Sequence, residues 1–229
     1  MRGGWNGLQA LVSNNCPYAY YIHYFAHRLQ LALVVASKEV IHVQQFFTNL
    51  SSIVNIVCAS CNQREDLQVA QAAEFAYVIE IDEIEIGRRL NQISTLQQAG
   101  DTRWSSHLKS VSNLIKIFSP ICEVIVQLID MGTTSSQQGK ADSIYQVMTS
   151  FEFVFILHLV KETMQITGHS CMAFQSKSQD ILSVMHLVSS IKAFIQQYRE
   201  DKWDVLLDNV KSFLQETRYR CFRYECSLC

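Results

Sequence analysis

From Val40 onward the chain repeats apolar residues at three- and four-residue spacing, the pattern of helices that bury one face. Val40, Val43, Phe47, Leu50, Val54 and Val57 share one such face. Leu108, Val111, Leu114, Ile115, Phe118, Ile121 and Cys122 share another. Pro120 falls inside that second run, where a missing N–H and a clash with the preceding turn predict a bend. Residues 151–160 are apolar nearly all round, which predicts a central, buried helix. Ile181, Met185, Val188, Ile191 and Ile195 form a further stripe, followed by Trp203, Leu206, Leu207, Val210 and Leu214. Two stretches read as connections: roughly 80–103, and MGTTSSQQGKAD at 131–142. No repeat of regular period is present.

The N-terminal part has a different rhythm. Residues 3–13 follow a glycine pair and read as a short helix, and Asn14, Asn15 and Pro17 mark a turn. Residues 18–25 are rich in aromatic and β-branched side chains, which predicts a strand. Residues 27–38, with Leu29, Leu31, Leu33, Val34 and Val35, return to helix. This is a helix–strand–helix piece whose strand has no visible partner. A strand without a sheet is incomplete, because its edge N–H and C=O groups need neighbours.

Composition narrows the class. At 229 residues and 48% hydrophobic, the chain can bury roughly 70–75% of the surface its unfolded form exposes, so it needs no staples to fold. That excludes global disorder, and only two prolines interrupt helix formation. Nineteen basic against 21 acidic residues give a net charge of −2, so no electrostatic footprint for nucleic acid covers the whole chain and any DNA contact is local. MRGGWNGLQALV lacks the continuous apolar region of a signal peptide. The charge-free stretch 40–63 carries His42, Gln44, Gln45, Asn49 and Asn55, too polar for a membrane span. The expected setting is intracellular, nuclear or cytoplasmic, away from membranes. There the eight cysteines are expected to be reduced thiols, with Cys58, Cys122 and Cys171 on apolar faces as small hydrophobes.

Candidate chemistry is sparse. His23 and His27 are four apart, but the predicted strand–helix boundary falls between them, and no Glu stands at the metalloprotease position. Cys58 and Cys61 form a CxxC within a predicted helix, and Cys221, Cys226 and Cys229 cluster at the end of the chain. Together they have the ligand types of a thiolate zinc site, although more than 160 residues separate the two groups. Glu80, Asp82, Glu83 and Glu85 alternate with isoleucines. Carboxylates can hold Mg²⁺ for phosphoryl transfer, but four in one short run more commonly form a solvated segment. In GDTRWSSH, Asp101 or Thr102 can cap the following helix. Arg103 and Trp104 can neutralise a phosphate and stack on a base, or anchor a helix end in the core. No phosphate-binding glycine loop or nucleophile elbow is present.

Several long phrases stand in a telling order: MRGGWNGLQA, YYIHYFAHRLQLALV, RRLNQISTLQQAG, GDTRWSSHLKSVSNLI, SFEFVFILHLVKETMQIT and KSQDILSVMHLVSSIKAFIQ. The chain thereby resembles, over about residues 2–214, plant proteins derived from hAT-superfamily transposases, a group with MYM-type or TTF-type zinc-finger-like members. The resemblance implies a mainly α protein: a partial RNase H-like α/β remnant at 1–38, a helical insertion domain at 39–214, and a divergent Cys-rich tail at 215–229. It implies descent from an enzyme that cuts DNA with a metal-binding Asp, Asp, Glu set. The two Asp residues would precede Met1 and the Glu would follow Cys229, so no catalytic or metal-binding residue can be assigned in this chain. The family's CxxH motif falls on Tyr24 and His27, with Tyr24 in place of the Cys. Its RW pair falls on Arg103 and Trp104, candidate DNA contacts, and Arg89 replaces the glycine of GRGLNQ. The resemblance thus leads to the expectation of a non-catalytic fragment acting through DNA or another transposase-like chain, with no cofactor and no small-molecule substrate. A metal-dependent DNA strand-transfer enzyme and a zinc-binding module built on the C-terminal cysteines are the alternatives.

Overall fold

The computed structural model describes residues 8–16, 25–59, 61–81, 104–132, 134–173 and 181–227. Among these the chain is helical and contains no strand. The helices in order are α1 (Leu8–Asn15), α2 (Phe25–Glu39), α3 (Ile41–Val57), α4 (Cys61–Ile81), α5 (Trp104–Lys116), α6 (Phe118–Met131), α7 (Ser135–Met148), α8 (Phe151–Ala173), α9 (Ile181–Asp201) and α10 (Trp203–Ser227). Asn14 and Asn15, expected in a turn, are instead the last residues of α1, and Cys16 N–H still donates to Val12 O at 2.8 Å. Of the predicted strand, residues 18–24 lie outside the described residues, while Phe25 opens α2.

Two helices organise the core. α6 packs against α4, α7 and α10, and α8 packs against α2, α3, α5 and α10. From α8, Phe153, Val154, Leu157, Val160 and Met164 are buried, as its continuous apolar run predicts. α6 contributes Phe118, Ile121, Cys122, Val124 and Ile125. Each such side chain contributes roughly 1.5–3 kcal/mol by leaving water, so both helices are major contributors to stability. α3 buries Phe46, Leu50, Ile53, Val54 and Val57. Its buried face is rotated slightly from the predicted one. Val40 precedes the helix and is exposed, and Val43 and Phe47 are only partly covered.

Pro120 produces a break rather than a bend. α5 ends at Lys116 and α6 restarts at Phe118, with Ile117 between them at φ −113° and ψ 28°. In a continuous helix the Pro120 ring would clash with the Lys116 carbonyl and leave it without a donor. Placed in the first turn of α6, the proline lacks an N–H that the helix does not need. Ile117 keeps both ladders connected, donating to Asn113 O at 3.0 Å and accepting from Ile121 N–H at 3.1 Å.

The segment 131–142 corrects another expectation, since most of it is helix α7 and only residues 132–134 link it to α6. Thr134 holds an extended backbone, and its hydroxyl oxygen accepts from Gln137 N–H at 3.2 Å, satisfying a donor that the first turn leaves open. The next corner works in the same way. Ser150 Oγ accepts from Phe153 N–H at 3.2 Å, and Glu152 stands in the first turn of α8, where the helix dipole favours a carboxylate. Two glycines in this region respond oppositely to substitution. A Cβ at Gly132 would lie 2.5 Å from Leu128 O, whereas one at Gly139, inside α7, meets nothing within 4 Å. Gly139→Ala is expected to raise stability by about 0.5–1 kcal/mol, and Gly132→Ala to lower it by about 1–3 kcal/mol. Urea denaturation of the two variants checks both signs.

The last two helices differ in how well they are covered. Of the predicted α10 stripe Leu206 and Val210 are buried and Leu207 and Leu214 half-buried, while Trp203 is exposed. α9 is not buried in that way: Met185, Val188, Phe194 and Ile195 are 38–62% exposed, and Ile191 is half-buried. Among the described residues no single helix is long and apolar enough to cross a membrane.

Candidate functional site

Many of the residues that the sequence singles out lie outside the described residues, and the described ones are spread over several helices. His27 lies in the first turn of α2, while His23 and Tyr24 lie outside the described residues. Trp104 is the first residue of α5, at a helix start, whereas Arg103, Asp101 and Thr102 lie outside the described residues. Glu80 belongs to α4, and Asp82, Glu83 and Glu85 lie outside the described residues. The CxxC is not within one helix. Cys58 terminates α3, its N–H donating to Val54 O at 3.0 Å, and Cys61 begins α4, so the motif spans the turn between them. Cys58 is half-buried against the core and Cys122 is fully buried, both in the role of small hydrophobes. The side chains of Cys61, Cys171, Cys221, Cys226 and Cys229 lie outside the described set. Among the described residues no three His, Cys, Asp or Glu side chains come together as a metal site.

A groove of about 570 Å³ lies between α3, α7 and α8. Phe46 and Phe153, with ring centroids 5.1 Å apart, form its floor, and Gln45, Asn49 and Gln146 supply amide donors and acceptors along its walls. At its rim His42 Nδ1 meets Glu152 Oε1 at 2.7 Å, tying α3 to α8. A histidine held by a carboxylate is the orienting half of a catalytic triad, but such pairs act in dry sites with a nucleophile in reach. Here both side chains are about two-thirds exposed, and a pair so hydrated contributes roughly 0–1 kcal/mol. Its role is to help align two helices.

Two titratable groups sit deeper. Glu123 lies on α6 with Oε2 buried and no hydrogen-bond partner for that atom among the described residues. Burial, and then the charge of Glu74, push its carboxyl above the usual range. Because the folded-state value is raised, this group adds stability at low pH and loses it as pH rises through that raised value. Glu123→Gln is therefore expected to raise the melting temperature at pH 7 and to lose most of that advantage near pH 4. Thermal melts at the two pH values check this. His158, on α8, faces α10 with its ring edge-on to Phe213 at 5.1 Å, and its Nε2 has no partner among the described residues. Burial, and then the charge of Lys161, lower it to about 4. At neutral pH it is an uncharged core ring.

Sequence reasoning singled out neither Glu123 nor His158. The signal was a single charged or titratable residue inside an otherwise apolar run, ICEVIVQL and FILHLV. Such a residue is forced inward by its neighbours on the same face. Among the described residues none of these groups is assembled with a metal-ligand set. Comparison of the chain with protein-family models found no match, and comparison with solved structures found none.

Proposed function

We propose that this chain is a helical interaction module descended from a hAT-type transposase, with no DNA-cleaving activity of its own. The observation that carries the reading is the ordered series of phrases from MRGGWNGLQA to KSQDILSVMHLVSSIKAFIQ, which runs through nearly the whole sequence. On this reading residues 39–214 belong to an insertion domain and residues 1–38 to an RNase H-like remnant. The apolar flanks of α9 support a role in contact with another chain, since a monomer gains nothing by leaving Met185, Val188 and Ile195 in water.

The decisive measurement is incubation of the purified chain with supercoiled plasmid and Mg²⁺ or Mn²⁺. The plasmid is expected to remain intact, and metal-dependent nicking overturns the reading in favour of a strand-transfer enzyme. Metal analysis of protein purified without chelator addresses the zinc alternative, for which one bound zinc per chain is the outcome that counts. Descent is tested by translating the genomic DNA on either side of the coding segment. Intact or decayed sequence for Asp-bearing strands upstream and a Glu-bearing dimerisation segment downstream is expected, and flanks without a trace of either remove that part of the proposal.

A second reading, a local DNA contact, is favoured by the position of Trp104 at the start of α5. Trp104 follows Arg103 in the sequence, and an aromatic side chain next to a cation has the chemistry to stack on a base beside a neutralised phosphate. Binding to single-stranded oligonucleotide is then expected to weaken as salt rises. Trp104→Ala should weaken it by about 1–3 kcal/mol, roughly five- to 150-fold in affinity. Fluorescence anisotropy reads both effects, and unchanged affinity in the variant ends this reading.

A further inference from the structure

We draw no further inference here: the strongest candidate, the exposed apolar flanks of α9 formed by Met185, Val188, Phe194 and Ile195, already supports the function proposed above, and nothing in the structure shows what covers them.

Discussion

Phe118→Ala is expected to lower the unfolding free energy by roughly 3–5 kcal/mol, the range for truncating a buried aromatic side chain. Phe118 is only 1% exposed and is the first residue of α6, directly after the break that Pro120 imposes. Its ring meets Phe213 of α10 edge to face, with centroids 5.1 Å apart at 79°. Such a pair contributes about 0.5–1.5 kcal/mol beyond burial alone. The substitution therefore removes a core side chain and one of the contacts between α10 and α6. The residual void is costly because the neighbouring Ile121 and Val124 are fixed on the same helix and cannot collapse far. For a chain of this length each kcal/mol moves the melting temperature by about 2–4 °C, so a drop of roughly 6–20 °C is expected. Phe151→Ala is the control, because Phe151 is half-exposed and stacks on Phe155 at 6.0 Å, a looser contact. It should cost less than about 1 kcal/mol. Denaturant unfolding followed by circular dichroism compares the two, and equal, small losses would mean that α10 does not rest on α6.

What could be read in the sequence depended on how strong each local signal was. α8 was legible in part: within the apolar run Phe153, Val154, Ile156, Leu157 and Val160 are buried, whereas Phe151 and Glu152 at its start are exposed. The stripe through α5 and α6 was legible as a buried face, but not as two helices. Apolar spacing continues across Ile117 even though the hydrogen-bonded ladder restarts there. α7 was hidden because Gly, Thr and Ser at 132–136 resemble a loop. Thr134 is in fact the cap that starts the helix, and Gly139 is tolerated within it because that side faces solvent. The CxxC was misplaced for the converse reason. The apolar pattern of α3 carries to Val57 without a glycine to mark its end, and the helix stops at Cys58.

For the candidate sites, sequence and structure spoke to different residues. Motif reading drew attention to the histidines, cysteines and carboxylates with suggestive spacing, and most of these are spread over separate helices or lie outside the described residues. Tertiary packing created the environments that matter for titration, at Glu123 and His158. Neither environment is encoded by spacing. Glu123 is perturbed first by burial and then by the Glu74 carboxylate of α4, and His158 first by burial, with Phe213 of α10 against its ring, and then by the Lys161 charge. A pairwise contact between distant segments is the kind of information that a single sequence withholds.

His158 gives the second large expected effect, a loss of stability in mild acid. In the unfolded chain the imidazole titrates near 6.5, and in the fold it is lowered to about 4. Between these values the unfolded state binds a proton that the folded state refuses, so stability falls as pH drops from about 6.5 towards 4 and levels off below. At 1.36 kcal/mol per unit the full shift corresponds to roughly 3 kcal/mol, and partial solvent screening of the ring reduces this to about 1–2 kcal/mol. Glu123 acts with the opposite sign in the acid range, which makes the wild-type curve alone hard to interpret. The difference between wild type and His158→Leu isolates the histidine, because Glu123 is common to both. Wild type is expected to lose about 1–2 kcal/mol relative to the variant between pH 7 and pH 4.5, measured by urea denaturation at each pH. A second variant separates burial from the nearby Lys161 charge. Phe213→Ala uncovers the ring while leaving Lys161 in place, and imidazole titration by NMR should then move back towards 6.5. If the titration stays near 4 once Phe213 is gone, burial by the rest of the core together with the Lys161 charge, and not the Phe213 ring, sets the shift.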